Sequence, residues 1–169
     1  MLEAVVGAMV TARAGLQCEF MRLHRHVLEI VRTEDVCRRL MTVPGVGALV
    51  AVTFKATVDD PGRFASSKAM GAHFGLTPKK YQSGETDVTG GISKVGDTMV
   101  RTALYEAANV LLSRTTRFST LKRWALDVAR RRGVKRAKVA LARKLATVLH
   151  HMWVDGSEFR WGKETPVAA

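Results

Sequence analysis

Residues 98–152, TMVRTALYEAANVLLSRTTRFSTLKRWALDVARRRGVKRAKVALARKLATVLHHM, decide the fold class. Val100, Leu104, Ala107, Ala108 and Leu111 recur at the spacing that gathers apolar side chains on one helical face. Leu121, Trp124, Ala125 and Val128 repeat the pattern, and Val134, Leu141, Leu145, Val148, Leu149 and Met152 repeat it again. Three amphipathic helices are predicted, with Arg130-Arg131-Arg132-Gly133 as the break between the last two. Strand character is confined to residues 79–97, so the chain reads as all-α.

The same stretch carries the charge. The net charge is +12, and residues 98–150 hold 13 Lys and Arg against 2 Asp and Glu, while residues 1–40 and 41–97 each hold 6 against 5. A block of this kind is the footprint of a polyanion partner, because each phosphate neutralised by a cation releases condensed counterions. A solvated basic helix is the plainer reading. Arg130, Arg131, Arg132, Lys135, Arg136 and Lys138 are the candidate nucleic-acid contacts. Consecutive cations on a helix and its preceding turn match phosphates better than base edges, so they are expected to hold backbone.

Immediately upstream, residues 79–97 (KKYQSGETDVTGGISKVGD) contain four glycines and no helical period. A long loop or a short β-hairpin is expected, and a segment of this length in a small domain tends to carry function. It offers Tyr81, Ser83, Thr86, Thr89 and Ser93 as hydroxyls, with Lys79, Lys80, Lys94 and Arg101 as neighbouring cations. A hydroxyl attacks a phosphodiester only with a base or a strong field beside it. Most loop serines simply bond the backbone of a turn, and spacing alone favours that reading for Ser83.

Further upstream, Glu34 to Met41 reads as a helix, Val43-Pro44-Gly45-Val46-Gly47 as a tight hairpin, and Ala48-Leu49-Val50-Ala51-Val52 as the start of another helix. Glycine at Gly45 and Gly47 permits positive φ and close backbone approach, and the free N–H groups of the following helix suit a phosphate. The pattern is similar to the helix-hairpin-helix of DNA-binding proteins, although the same residues also close ordinary helix pairs. Asp59-Asp60-Pro61-Gly62 is a turn. Phe64, Met70, Phe74 and Leu76 are core candidates on a short helix that Gly75 and Pro78 end.

In residues 2–30, Leu2, Val6, Met9, Arg13, Leu16, Phe20, Leu23, Val27 and Ile30 keep a strict 4-3 spacing, the seam of a coiled coil broken only by Arg13. Gly7 and Gly15 each cost a helix about 1 kcal/mol relative to Ala, so this one needs a partner. Two partners are open: a second copy of the arm, giving a homo-oligomer through residues 2–30, or the chain's own domain. The expected organisation is a coiled-coil arm over 1–34, a helical domain over 35–155 and a polar tail over 156–169.

Several classes are set aside. Cys18 and Cys37 have no partner motif, which fits a reduced, cytoplasmic protein. Charges interrupt every apolar run before the roughly 18 residues needed to span a bilayer, so no membrane role is expected. Asp59, Asp60, Glu85, Asp87, Asp97 and Glu106 are scattered among turns, and His24, His26, His73, His150 and His151 lack further ligands at useful spacing, so no metal site is expected in this chain.

Taken in order, Val43-Pro44-Gly45-Val46-Gly47, Phe64 followed by Ser66, Gly75-Leu76-Thr77-Pro78, Ser83-Gly84 and Gly91-Ile92-Ser93-Lys94-Val95-Gly96-Asp97, with Arg101, Leu104, Ala107 and Ala108, resemble one family. It is the C-terminal domain of the "IS one-ten" insertion-sequence transposases, related to Piv-type DNA invertases. The resemblance covers about residues 40–155. It implies a bacterial recombinase with two catalytic parts: a RuvC-like domain carrying four acidic residues and magnesium, and this domain contributing a serine. It also implies guidance by a structured RNA and a covalent phosphoserine link to the cleaved DNA strand. The matching position is Ser83, with Ser93 as the fallback because the alignment can slip where Gln82 stands.

Glu3, Glu19, Glu29 and Glu34, on one predicted helix, are the only acids in residues 1–34, so the four-acid domain is expected to be missing. The chain is then a fragment, a split gene product or a decayed remnant, inactive alone. Two other readings stand beside a recombinase domain. One is a non-catalytic nucleic-acid-binding and dimerisation module; the other is a helical protein with no nucleic-acid partner.

Overall fold

The computed structural model describes residues 1–83 and 86–162, the side chains of 82–89 excepted. Its organising element is α7 (Val134–Asp155), whose Ala137, Leu141, Ala142, Leu145, Ala146, Leu149, His150 and Met152 are buried. Alternating alanine with leucine along that stripe lets neighbouring helices approach closely while the leucines fill the space between. α5 (Thr98–Ser113) and α6 (Thr120–Arg132) both lie against it. Each starts on a polar cap: the Asp97 carboxylate accepts from Val100 N at 2.8 Å, and Ser119 Oγ accepts from Lys122 N at 3.1 Å. α6 ends at Gly133, whose φ of +84 turns the chain straight into α7.

The upstream half covers the other side of α5 and α7. α2 (Asp35–Leu40) and α3 (Ala48–Val58) are joined by the hairpin at 41–47 and bury Cys37, Leu40, Val43, Ala51, Phe54 and Val58. Phe54 meets Phe74 edge to face, ring centroids 5.6 Å apart. Two 3-10 turns, Pro61–Arg63 and Ser67–Ala69, lead into the four-residue α4 (Met70–His73). His150, buried on α7, fastens both turns: its Nε2 lies 3.1 Å from Pro61 O and its Nδ1 2.9 Å from Ser67 Oγ. A carbonyl only accepts, so Nε2 donates, and in the neutral ring Nδ1 accepts from the serine hydroxyl.

Residues 78–92 form the hairpin alternative. β1 (Pro78–Ser83) pairs antiparallel with β2 (Thr86–Ile92), with Tyr81 opposite Val88, Ser83 opposite Thr86, and an irregularity between Pro78 and Lys80. Beyond the strands, Ser93 N donates to Thr77 O at 2.8 Å and Lys94 N to Gly75 O at 3.0 Å.

α1 (Leu2–Thr33) is about 48 Å long at 1.5 Å per residue. Among the described residues it meets the rest of the chain at its C-terminal end, where Val31 is buried and Val27 and Leu28 are half-buried. Leu2, Met9, Leu16, Phe20 and Leu23 are exposed. The reading in which this helix folds onto its own domain therefore fails for residues 2–26. Past α7, the described tail also packs: Phe159 lies against the core, its N–H donates to Thr42 Oγ1 at 2.9 Å, and Thr120 N donates to Trp161 O at 3.3 Å.

Candidate nucleic-acid interface

A cleft of about 970 Å³ opens where the base of the hairpin faces α6 and α7. Leu76, Pro78, Gly90, Gly91 and Ile92 form one wall. Trp124 and Arg132 from α6, with Lys135, Arg136, Arg143 and Lys144 from α7, form the other. Among the described residues, five cations thus line the cleft and no carboxylate does. Their spacing explains part of this: residues 136, 139, 143 and 147 follow one face of α7, with Val139 and Ala140 as apolar floor between the cations, and Arg132 joins them from the end of α6. Desolvating walls of one sign concentrate the field in such a groove.

The arrangement rests on backbone packing. A β-carbon on Gly71 would meet Arg143 Cγ at 2.8 Å, so the missing side chain lets the aliphatic stem of Arg143 lie over α4. The hairpin base is held by Arg101, whose Nη1 donates to Phe74 O at 3.2 Å and to Gly96 O and Asp97 O at 3.4 Å, while its Nη2 reaches Thr98 Oγ1 at 2.9 Å. Arg101 is a clamp on the turn that carries β2 into α5.

The sequence-derived cations divide. Arg132, Lys135 and Arg136 line the cleft. Arg130 instead lies 3.7 Å from the Asp127 carboxylate, and Arg131 Nε donates to Asp127 O at 3.2 Å. Lys138 is half-buried and outside the lining. Lys122, within the same basic stretch, is buried and donates to Thr115 O. Lys79 and Lys80 are exposed on β1, and Lys94 is exposed at the hairpin base with a φ of +57.

The two hairpin glycines also part company. Gly45, with a φ of +88, has its α-carbon against the backbone of α5 at Ala107 and Leu111, where its conformation serves helix packing. Gly47 caps α3 and faces open space. Ser83 closes β1 opposite Thr86; its side chain, with Gly84 and Glu85 beyond it, lies outside the described residues. Ser93 is half-buried, bonded through its amide to Thr77 O. Trp124, Arg143 and Lys144 join the site without having been singled out as contacts, although helical spacing from Arg136 was a usable signal for the two cations.

Among the described residues no three His, Cys, Asp or Glu side chains gather. The Asp60 and Asp97 carboxylates accept from backbone N–H groups of Gly62 and Val100, and Glu34, Asp35 and Asp127 pair with Lys55, Arg38 and Arg130. A smaller cleft of about 460 Å³, between α6, α7 and the tail, carries both Asp155 and Glu158, with His151 Nδ1 2.8 Å from Asp155. Its mixed charge does not suit a polyanion. No helix among the described residues is long and apolar enough to cross a membrane.

Residues 37–123, from α2 into α6, match the family described as "Transposase IS116/IS110/IS902 family". The chain belongs to that transposase family. It is 35% identical over 134 residues, 79% of this chain and 37% of the relative, to the transposase for insertion sequence element IS1111A of Coxiella burnetii. It is 31% identical over 147 residues, 86% of this chain and 38% of the relative, to a putative transposase of Sinorhizobium fredii. The transposase for insertion sequence element IS1328 of Yersinia enterocolitica is 30% identical over 147 residues, 86% of this chain and 44% of that protein. The chain therefore spans 37% to 44% of the length of these transposases. The family match includes the whole hairpin and Trp124 lies just beyond it, so the cleft joins a wall inside the match to one outside it.

Proposed function

We propose that this chain is the DNA-binding, serine-bearing part of a transposase, holding a DNA backbone in the cleft at the base of the hairpin while Ser83 attacks the strand. The observation that carries the reading is a groove lined, among the described residues, by five cations and no carboxylate at the foot of the strand that ends on Ser83. At about 3.3 Å per residue, β1 sets Ser83 roughly 17 Å from Pro78, about five nucleotides of duplex rise at 3.4 Å each. A backbone held in the cleft and a scissile phosphate at the hairpin end belong to one bound duplex.

In this reading Ser83 Oγ attacks phosphorus, an O–P bond to serine forms, the P–O bond to the departing sugar breaks, and the serine proton passes to that leaving oxygen. The phosphoserine ester keeps the bond energy for rejoining. Any magnesium is held outside the described residues, and a structured RNA selects the target. The exposed seam of α1 brings copies together. The experiment combines this chain with a RuvC-like metal domain, guide RNA and target DNA, and looks for a protein–DNA covalent adduct. The adduct is expected with the wild-type chain and absent from Ser83→Ala. An adduct that survives Ser83→Ala removes Ser83 and passes the role to Ser93.

A non-catalytic nucleic-acid-binding and dimerisation module is the second reading, favoured by the carboxylates already engaged in caps and ion pairs. It gives salt-sensitive binding and no adduct in any mixture.

A further inference from the structure

We infer that Trp124 is a stacking platform for one unpaired base of the bound DNA strand, taken into the cleft beside the hairpin. The inference rests on the DNA reading above and adds what the cleft recognises. Trp124 is half-buried and lines the cleft, and Lys144 Nζ stands 4.2 Å from the centroid of its ring. An aromatic face set among cations is the composition of grooves that hold single-stranded nucleic acid: the cations follow the backbone and the ring takes a base. A cleft of about 970 Å³ has the size that accommodates a small ligand, with room for a nucleotide. Within a duplex each base face is covered by its neighbours, so only a base that has left the stack can reach the ring.

The walls suit that ligand. Gly91 on the hairpin wall faces open space, so a sugar–phosphate backbone can approach bare main chain. Lys144 covers the ring with a flexible four-carbon stem, free to turn its ammonium to the phosphate of the incoming nucleotide. Tyr81, exposed on β1, lies beside Gly90, its Cε2 3.3 Å from where a β-carbon would stand, and is a second aromatic side chain on the hairpin. The ligand is DNA in preference to RNA because the cleft adjoins the strand that ends on Ser83.

The test uses the full chain, a fully paired DNA oligonucleotide, the same DNA with one unpaired 2-aminopurine, and an RNA duplex bearing the same unpaired base. The wild-type chain is expected to bind the unpaired DNA most tightly and to quench its 2-aminopurine emission. Trp124→Ala should weaken that binding roughly 5- to 160-fold, the range for loss of one base–aromatic stack, abolish the quenching, and weaken paired-DNA binding far less than unpaired. Trp124→Phe should restore most of both, and its helical circular dichroism verifies the fold. Loss of paired and unpaired binding alike in a folded Trp124→Phe, or unchanged quenching in Trp124→Ala, overturns the platform. Tighter binding of the RNA form overturns DNA as its ligand. If no oligonucleotide binds, the DNA reading itself falls; if paired DNA binds and Trp124 has no effect, only the platform does.

Discussion

Gly96 lies directly against the main chain of His73: a β-carbon on Gly96 would overlap the His73 carbonyl oxygen. Its φ of +96 is in the region that side chains avoid. Gly75, with a φ of +66, abuts the backbone at Lys94 and Val95 in the same way. Two turns far apart in sequence thus pack main chain to main chain, and that contact sets the hairpin on α4 and α5. Because the hairpin forms a wall of the cleft, this packing positions the site as well as stabilising the fold.

Gly96→Ala is accordingly expected to cost about 2 kcal/mol or more, from the left-handed backbone alone before any displacement. In a chain of this size that lowers Tm by roughly 4 °C or more. Gly91→Ala, at a position with open space and no positive φ, is expected to leave Tm unchanged. Thermal unfolding of both variants checks the contrast.

The two cysteines should behave oppositely. Cys18 is exposed on α1, while Cys37 is buried in α2, and burial raises its thiol pKa above the usual 9.0, with Lys55 partly opposing. A thiol-reactive dye is expected to label Cys18 at once and Cys37 only on unfolding. The unfolded chain loses the Cys37 proton first as pH rises, so the folded state binds more protons above pH 9 and stability falls there. Comparing denaturant unfolding of wild type and Cys37→Ala across that range isolates the effect, and the variant should show the shallower decline.

Along α1, Leu16 and Phe20 are exposed on the seam. Leu16→Asp with Phe20→Asp should convert an oligomer to a monomer in sedimentation without changing the unfolding of the helical domain. Arg13→Leu, which completes the apolar seam, should tighten association. A wild-type chain that sediments as a monomer at all concentrations would remove the oligomer from the account.

How much of this was legible in the sequence differs from element to element. α5, α6 and α7 each carry an apolar stripe largely kept in the buried set, although Trp124, Val128 and Val148 are only half-buried and Val134 is exposed. The seam of α1 was equally visible, but periodicity reports only that one face is apolar, and which partner covers it needed the fold. Residues 78–92 lack alternation, and the bonds that hold the hairpin base, from Ser93 N to Thr77 O and Lys94 N to Gly75 O, exist only in the fold, so loop and hairpin looked alike. The cleft was the least legible. Trp124 fits a helical core pattern and was counted there, and the part that Arg143 and Lys144 play needed α7 to meet the hairpin. Gly45 shows the reverse: a residue suited to a phosphate is spent on packing against α5.

The measurement that bears most directly on the cleft as the phosphate-binding face is the salt dependence of DNA affinity for wild type and for the triple variant Arg132→Ala, Lys135→Ala, Arg136→Ala. The wild-type log K is expected to fall linearly with log salt, and the triple variant to lose about 3 from the slope, near 0.9 for each phosphate contact removed. A slope equal to wild type in the triple variant, or affinity that ignores salt between about 50 and 200 mM, contradicts the account.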